Sequence, residues 1–307
     1  MPIWGTIIPI FIIVLLGWGV HRRGFLPAEF MGPANRLVFY VAIPAMIFQS
    51  IAKSTLREWF NPRVIILTLS AALLAYGASW LACRVTRMRR SLSGTFIQSA
   101  GHGNLGYFGL AVAYYYLGNA GLVHASVIAG FLMILQNVLS ILALQSFSTQ
   151  SAAVPDARLI GGRVLGNPVI LAVLAGMLFS MSALPMPLIV ERSLTILSGL
   201  ALPTALLVIG ASLSFQRMKA QGLIVTGATV IKLLVLPGIG WLLFQGLGVQ
   251  RSEFLPALIL LASPTATVSF VMAREMQGDG DLAAAAISAS TLASALTYVF
   301  WLQMAAW

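Results

Sequence analysis

The stretch GHGNLGYFG, residues 101–109, lies in the middle of an apolar run, with SGTFIQSA before it and LAVAYYYLG after it. A segment in hydrocarbon must satisfy its backbone N–H and C=O groups internally, which continuous helices do. A helix that stops at three glycines, a histidine and an asparagine strands such groups. A break of this kind survives only where protein buries it or where it lines a polar cavity.

The rest of the chain puts that break in a membrane. Of 307 residues, 59% are hydrophobic and 8% charged, against roughly 25% charged in soluble domains. With ~20 apolar residues needed per span, charges and turn residues delimit ten spans. They fall at about 4–21, 33–52, 62–83, 94–117, 122–146, 159–180, 190–214, 221–244, 254–275 and 282–304. The polar stretch 147–158, FSTQSAAVPDAR, reads as a linker between a first unit, 1–146, and a second, 159–307.

The two units repeat. Pro9 and Pro168 are 159 positions apart, as are Pro44 and Pro203, so that PIFIIVLLG lies over PVILAVLAG and VAIPA over LALPT. The same spacing sets Leu105 opposite Pro264 in LASPTATVSF, so spans four and nine break at one place in each half. Five spans is an odd number, and the second half therefore enters the membrane inverted. Counted by side, twelve Lys and Arg residues, Arg84, Arg87, Arg89 and Arg90 among them, fall opposite the N-terminus and five fall on its side. Lys232, the eighteenth, lies inside span eight. The positive-inside rule makes the richer side cytoplasmic, with both termini outside. The net charge of +10 then reflects topology and anionic lipid, with no need for nucleic acid. No charge precedes the first apolar run and two arginines follow it, which reads as an uncleaved anchor.

Enzyme patterns fail on context. GHGNLG spells a dinucleotide fingerprint, but that motif works between a strand and a helix with an acid ~20 positions on, and residues 107–140 hold none. The aspartates of GDGD, 278–281, sit in a loop with no second aspartate in a span, and no histidine follows Ser212 in GASL, 210–213, to act as a base. The single Cys83 excludes an intrachain disulfide and a cysteine metal cluster. No catalytic residue, cofactor or metal site is expected.

Inverted repeats with one broken helix in each half mark secondary transporters that bind substrate near the midplane. The N-terminal ends of half-helices offer free N–H groups and partial positive charge to an anion. Gly101, Gly103 and Gly106 would let the backbone unwind and let a substrate approach, and Asn104 offers amide donors to a carboxylate. In span nine, Pro264 removes an N–H while Ser263, Thr265 and Thr267 add hydroxyls. For these hydroxyls the plainer reading is back-bonding to their own helix. Lys232 costs roughly 2.5–3.5 kcal/mol at midplane on insertion scales and must face protein or water. It would serve an anion or hold stranded carbonyls. Gln136 and Asn137 lie mid-span, where interhelical bonding competes with ligand contact. Tryptophans near span ends, Trp4, Trp18, Trp59, Trp241 and Trp301, read as interface anchors. All eight acids fall in loops or at span ends. No carboxylate stands ready to carry a proton or hold sodium at midplane, so uptake is expected to follow the substrate gradient and the membrane potential.

In order and spacing, four stretches resemble the auxin efflux carrier family in its short bacterial form. They are GNLGYFGLAVAYYYLG, GNPVILAVLAGMLFS, IKLLVLPGIG and LASPTATVSFVMAREMQGDGDLAAAAISASTLAS. The family's proline in span four is Leu110 here, which leaves the break to the glycines. The resemblance implies an all-α polytopic protein of the bacterial inner membrane, with ten helices in two inverted five-helix repeats, usually a homodimer in the lipid bilayer. Spans one, two, six and seven would form a scaffold, and three to five with eight to ten a moving transport unit. The cargo implied is a small organic anion, a malonate-like carboxylate in bacterial relatives. The candidate substrate-binding residues are Gly103, Asn104, Gly106, Tyr107, Asn137, Lys232, Ser263, Pro264, Thr265 and Thr267. Two other readings stay open, a sodium-coupled symporter like the bile-acid carriers and a receptor that keeps the fold without translocating.

The charge asymmetry makes a direct prediction. In a Cys83→Ala background, an impermeant thiol reagent should label a cysteine placed ahead of the first span from outside intact cells, and should leave one at Arg87 unlabelled. Labelling at Arg87 alone would reverse the orientation.

Overall fold

In a computed structural model of the protein, residues 3–54, 60–148, 162, 166–182, 184–214 and 222–306 are described. The linker expected at 147–158 lies outside them from residue 149 on, as does Trp59. The regular elements are helical. They are α1 (Ile3–Arg22), α2 (Ala28–Leu37), α3 (Ile43–Ala52), α4 (Pro62–Val85), α5 (Arg90–Gly101), α6 (Leu110–Phe147) and α7 (Pro168–Ser182), followed by α8 (Leu188–Gly199), α9 (Ala201–Ala211), α10 (Gly222–Val230), α11 (Leu236–Gly246), α12 (Arg251–Leu261), α13 (Val268–Glu275) and α14 (Gly280–Met304). Three wider π-helical turns, Val38–Ala42, Leu105–Gly109 and Ile231–Val235, join neighbouring helices.

Among the described residues seven helical stretches are long and apolar enough to cross a membrane, and Pro168–Ser182 is a shorter apolar helix. The difference from ten expected spans has local causes. Leu105–Phe147 runs 43 residues, about 65 Å at 1.5 Å per residue, twice the ~30 Å of a bilayer core. It turns at Gly118, whose φ of 74° and ψ of −163° leave the helical region, at the expected boundary of spans four and five. Span nine is split into α12 and α13, of 11 and 8 residues, neither long enough alone. The described helix of span six opens at Pro168, where Asn167 Oδ1 accepts from Val169 N at 2.9 Å, a proline start with a side-chain cap.

Prolines account for two of the π turns. A proline ring clashes with the carbonyl four residues earlier, and a wider turn accommodates it. Pro44 follows Val38–Ala42, and Pro237 follows Ile231–Val235. The carbonyl displaced by Pro237 is that of Leu233, and Trp301 Nε1 donates to it at 2.8 Å. Trp301 is therefore a buried hydrogen-bond donor, 6% exposed, and the expectation of an interface anchor does not hold for it. Trp4 is half exposed, as an anchor would be.

The helices pack in two groups. In one, α1 lies on α9, and α3 on α7 and α8. In the other, α4, α5 and α6 pack with α10 to α14. The groups meet where α1 touches α14 and where α3 and α7 touch α6. At the α1–α9 crossing the backbones are in contact. A side chain on Gly17 would overlap the Leu207 carbonyl, and one on Gly210 would overlap that of Val14. Small residues at such crossings are how membrane helices gain packing without a hydrophobic driving force. Gly210→Val should cost about 3 kcal/mol, the upper end for overpacking, and lower the melting temperature of the detergent-solubilised protein. Gly19→Val, which faces open space, should melt like the parent.

Candidate functional site

The apolar run breaks after α5. His102 leaves the helix with φ −84° and ψ 102°, and Asn104 opens the next turn, its Oδ1 accepting from Tyr107 N at 3.3 Å. Span nine breaks between α12 and α13. The two unwound segments cross and pair as a short antiparallel bridge, with Gly103 facing Thr265. Asn104 N donates to Pro264 O at 2.7 Å and Ala266 N donates to His102 O at 2.9 Å.

Neighbouring helices satisfy what the bridge leaves over. Gln136 of α6 accepts from Gly103 N through Oε1 and donates to Gly101 O through Nε2, both at 3.2 Å. Ser290 Oγ of α14 accepts from Thr265 N at 3.0 Å. Thr265 Oγ1 donates to Ser99 O at 2.8 Å. Lys232 Nζ, carried by the Ile231–Val235 turn and fully buried, donates to Leu261 O at 2.8 Å, at the C-terminal end of α12. A cation there meets the negative end of a half-helix dipole.

Gly103, Lys232, Ser263, Pro264 and Thr265 come together. A Cβ on Gly103 would stand 2.5 Å from Ser263 Oγ and 3.2 Å from Lys232 Nζ. Glycine is required there for space. Its φ is not in the left-handed region, so the unwound segment calls for glycine here by close approach and not by backbone angle. Gly101 is still helical, and Gly106 has only ordinary contacts around it, with Met133 and Ile43. Leu110 begins α6 fully buried, and the break rests on the bridge and its partners. Asn104 is 6% exposed, and its Nδ2 donates to no group among the described residues. Tyr107 points away, its hydroxyl donating to Asn35 Oδ1 at 2.6 Å. Ser263 donates to Leu260 O at 2.7 Å, the back-bonding weighed for it, whereas Asn137 donates to Met133 O of its own helix at 2.9 Å and not to a neighbouring helix as weighed. Thr267 is half-buried ahead of α13. Gln136, Ser140, Tyr76, His102 and Ser290 join the site without having been selected as candidates. Gln136 carried a signal, an amide in mid-span.

A cavity of about 950 Å³ lies on the seam between the two helix groups, lined by Met46, Gln49 and Lys53 of the α3 segment, Tyr114, Tyr115 and Asn119 at the α6 bend, and Thr195, Ser198 and Leu202. None of the crossover residues lines it. Met46 is three residues from Ile43, which is in contact range of Gly106, three residues after the bridge. Across the cavity rim Lys53 pairs with Glu191 at 2.6 Å. The bridge thus holds a buried lysine and an amide without a partner among the described residues, and the cavity lies apart from it.

The whole chain has relatives of the same kind. The family model described as "Membrane transport protein" matches residues 2–155 and 159–302. The chain belongs to this family, that of the auxin efflux carriers. A protein of Rhizobium meliloti (strain 1021) named "Putative malonate transporter" is 27% identical over 299 residues, 96% of this chain and 93% of the relative. An uncharacterised transporter of Methanothermobacter thermautotrophicus is 26% identical over 302 residues, 96% of each chain, and one of Methanocaldococcus jannaschii is 24% identical over 305. The family and these relatives are transporters, and the helices make the chain an integral membrane protein.

Gln136 tests the local account. Gln136→Leu leaves two buried backbone groups unpaired, at about 1–3 kcal/mol each. It should lower the melting temperature well beyond Asn137→Leu, whose lost bond is to its own helix.

Proposed function

We propose that the protein is a secondary carrier of a small organic anion, a carboxylate, working as an elevator in the bacterial inner membrane. The observation that carries this reading is the crossover, where two broken helices meet with a buried ammonium, Lys232, and an unpaired amide, Asn104, within the same few residues. A carboxylate accepts from both kinds of donor, and charge-assisted bonds are the stronger ones. The relative named for malonate supports the substrate class.

The motion proposed follows from the two helix groups. The group of α1, α3, α7, α8 and α9, with α2, is the scaffold, and the group that holds both breaks moves against it. Ten spans in two inverted repeats give this arrangement. A homodimer through the scaffold and termini on the outside complete the reading.

Counterflow of labelled malonate and a panel of small carboxylates in proteoliposomes tests it. Lys232→Ala should reduce the transport rate at least tenfold, as loss of a charge-assisted bond of about 1.5–3 kcal/mol requires. Lys232→Arg should not restore it, since the guanidinium is planar and larger. Unchanged rate and affinity in Lys232→Ala would leave Lys232 as a helix cap only. Counterflow that requires sodium would favour the symporter reading, and none for the whole panel would favour a receptor.

A further inference from the structure

The expectation that no proton travels with the substrate considered carboxylates alone. A different titratable group stands at the break. His102 is 4% exposed at the end of α5. Its Nδ1 lies 3.0 Å from Ser140 Oγ, and Ser140 Oγ lies 2.8 Å from Tyr76 Oη. Tyr76 Oη donates to Gln136 O at 3.3 Å.

Either oxygen of the Tyr76–Ser140 pair can donate, and the imidazole tautomer follows from which one does. In the orientation in which Tyr76 gives its one hydroxyl proton to the Gln136 carbonyl, Ser140 gives its own to Tyr76, His102 holds its proton on Nδ1, and Nε2 carries a bare lone pair. No group among the described residues pairs with that Nε2. The polar side chains gathered at the same break are Tyr76 from α4, Gln136 and Ser140 from α6, Lys232 from the π turn, Ser263 and Thr265 from the bridge, and Ser290 from α14. Of these only Lys232 is charged. The carboxylates of the same helices, Glu253, Glu275 and Asp281, sit at least eight residues along the chain from the break.

We propose that His102 Nε2 is a proton-binding site, and that the carrier moves one proton with each dicarboxylate dianion. The inference rests on the anion-carrier reading and narrows its substrate. A proton on His102 places a second positive charge near Lys232, and in a poorly polarisable interior that repulsion is large. A dianion between the two cations offsets both charges, whereas a monoanion offsets one. Proton and dianion therefore bind better together than apart, and the coupling is reciprocal. One proton taken up at Nε2 on one side and released on the other, with the dianion, moves a net charge of −1 per cycle.

The test uses the full chain in proteoliposomes with a trapped pH dye and the membrane potential clamped by potassium and valinomycin. Labelled malonate and lumenal acidification are followed together. About one proton per malonate is expected, falling to near zero in His102→Gln whatever its residual rate. In a His21→Gln, His124→Gln background, ¹⁵N-histidine NMR should show the Nδ1–H tautomer, converting to imidazolium when malonate is added. This second readout stands even if His102→Gln is inactive. Malonate flux without protons, an unchanged ratio in His102→Gln, or an Nε2–H tautomer would each overturn the proposal while leaving the carrier reading intact. No flux for any carboxylate would remove that reading and the coupling with it.

Discussion

Two backbone hydrogen bonds, Asn104 N to Pro264 O and Ala266 N to His102 O, hold the centre of this molecule. Each unwound segment supplies the partner that the other lost by leaving the helix. In a membrane interior an unpaired amide costs several kcal/mol, so neither break is tolerable alone. They are about 160 residues apart in sequence, and so the two halves of the chain depend on each other at this point. The surrounding side chains follow from the same requirement. Gln136 and Ser290 each reach in from the span that follows a broken one, and each accepts from the N–H at the middle of the bridge.

Lys232 shows how structural and chemical demands meet in one group. Its ammonium is held by the carbonyl end of α12, which makes burial of the charge tolerable, and Gly103 keeps the space beside it clear of any side chain. A wider helical turn carries it, and that turn exists because Pro237 displaces the Leu233 carbonyl, which Trp301 recovers from another helix. A proline, a tryptophan and a lysine on two helices thus form one device. Its position against the bridge is what the proposed anion carrier needs, and in the proposed coupling the same ammonium would link the imidazole to the presence of an anion.

Much of this was legible in the chain. Composition and charge spacing required a membrane protein with interrupted spans, because hydrocarbon excludes charge and demands closed backbone bonding. GHGNLG and LASPTA marked both breaks, because glycine, asparagine and proline in mid-span have no other ready explanation. The intramembrane Lys232 and the family resemblance followed from the same letters. Local pattern could not say which residues meet. The repeat spacing matched equivalent places in the two halves and said nothing of which residues meet, since nothing in a one-dimensional alignment measures where two segments touch. Trp301 was misjudged because its indole N–H reaches Leu233 on a distant element, and the Tyr107 hydroxyl likewise has a distant partner, Asn35, that no local pattern announces. His102 Nε2 is singled out only by a chain of hydroxyls from two other helices. The sequence by itself determined that polar backbone would be exposed inside a membrane at two places. Only the tertiary structure decided that each place is the other's partner, because a hydrogen bond depends on distance and direction in space and not on separation along the chain.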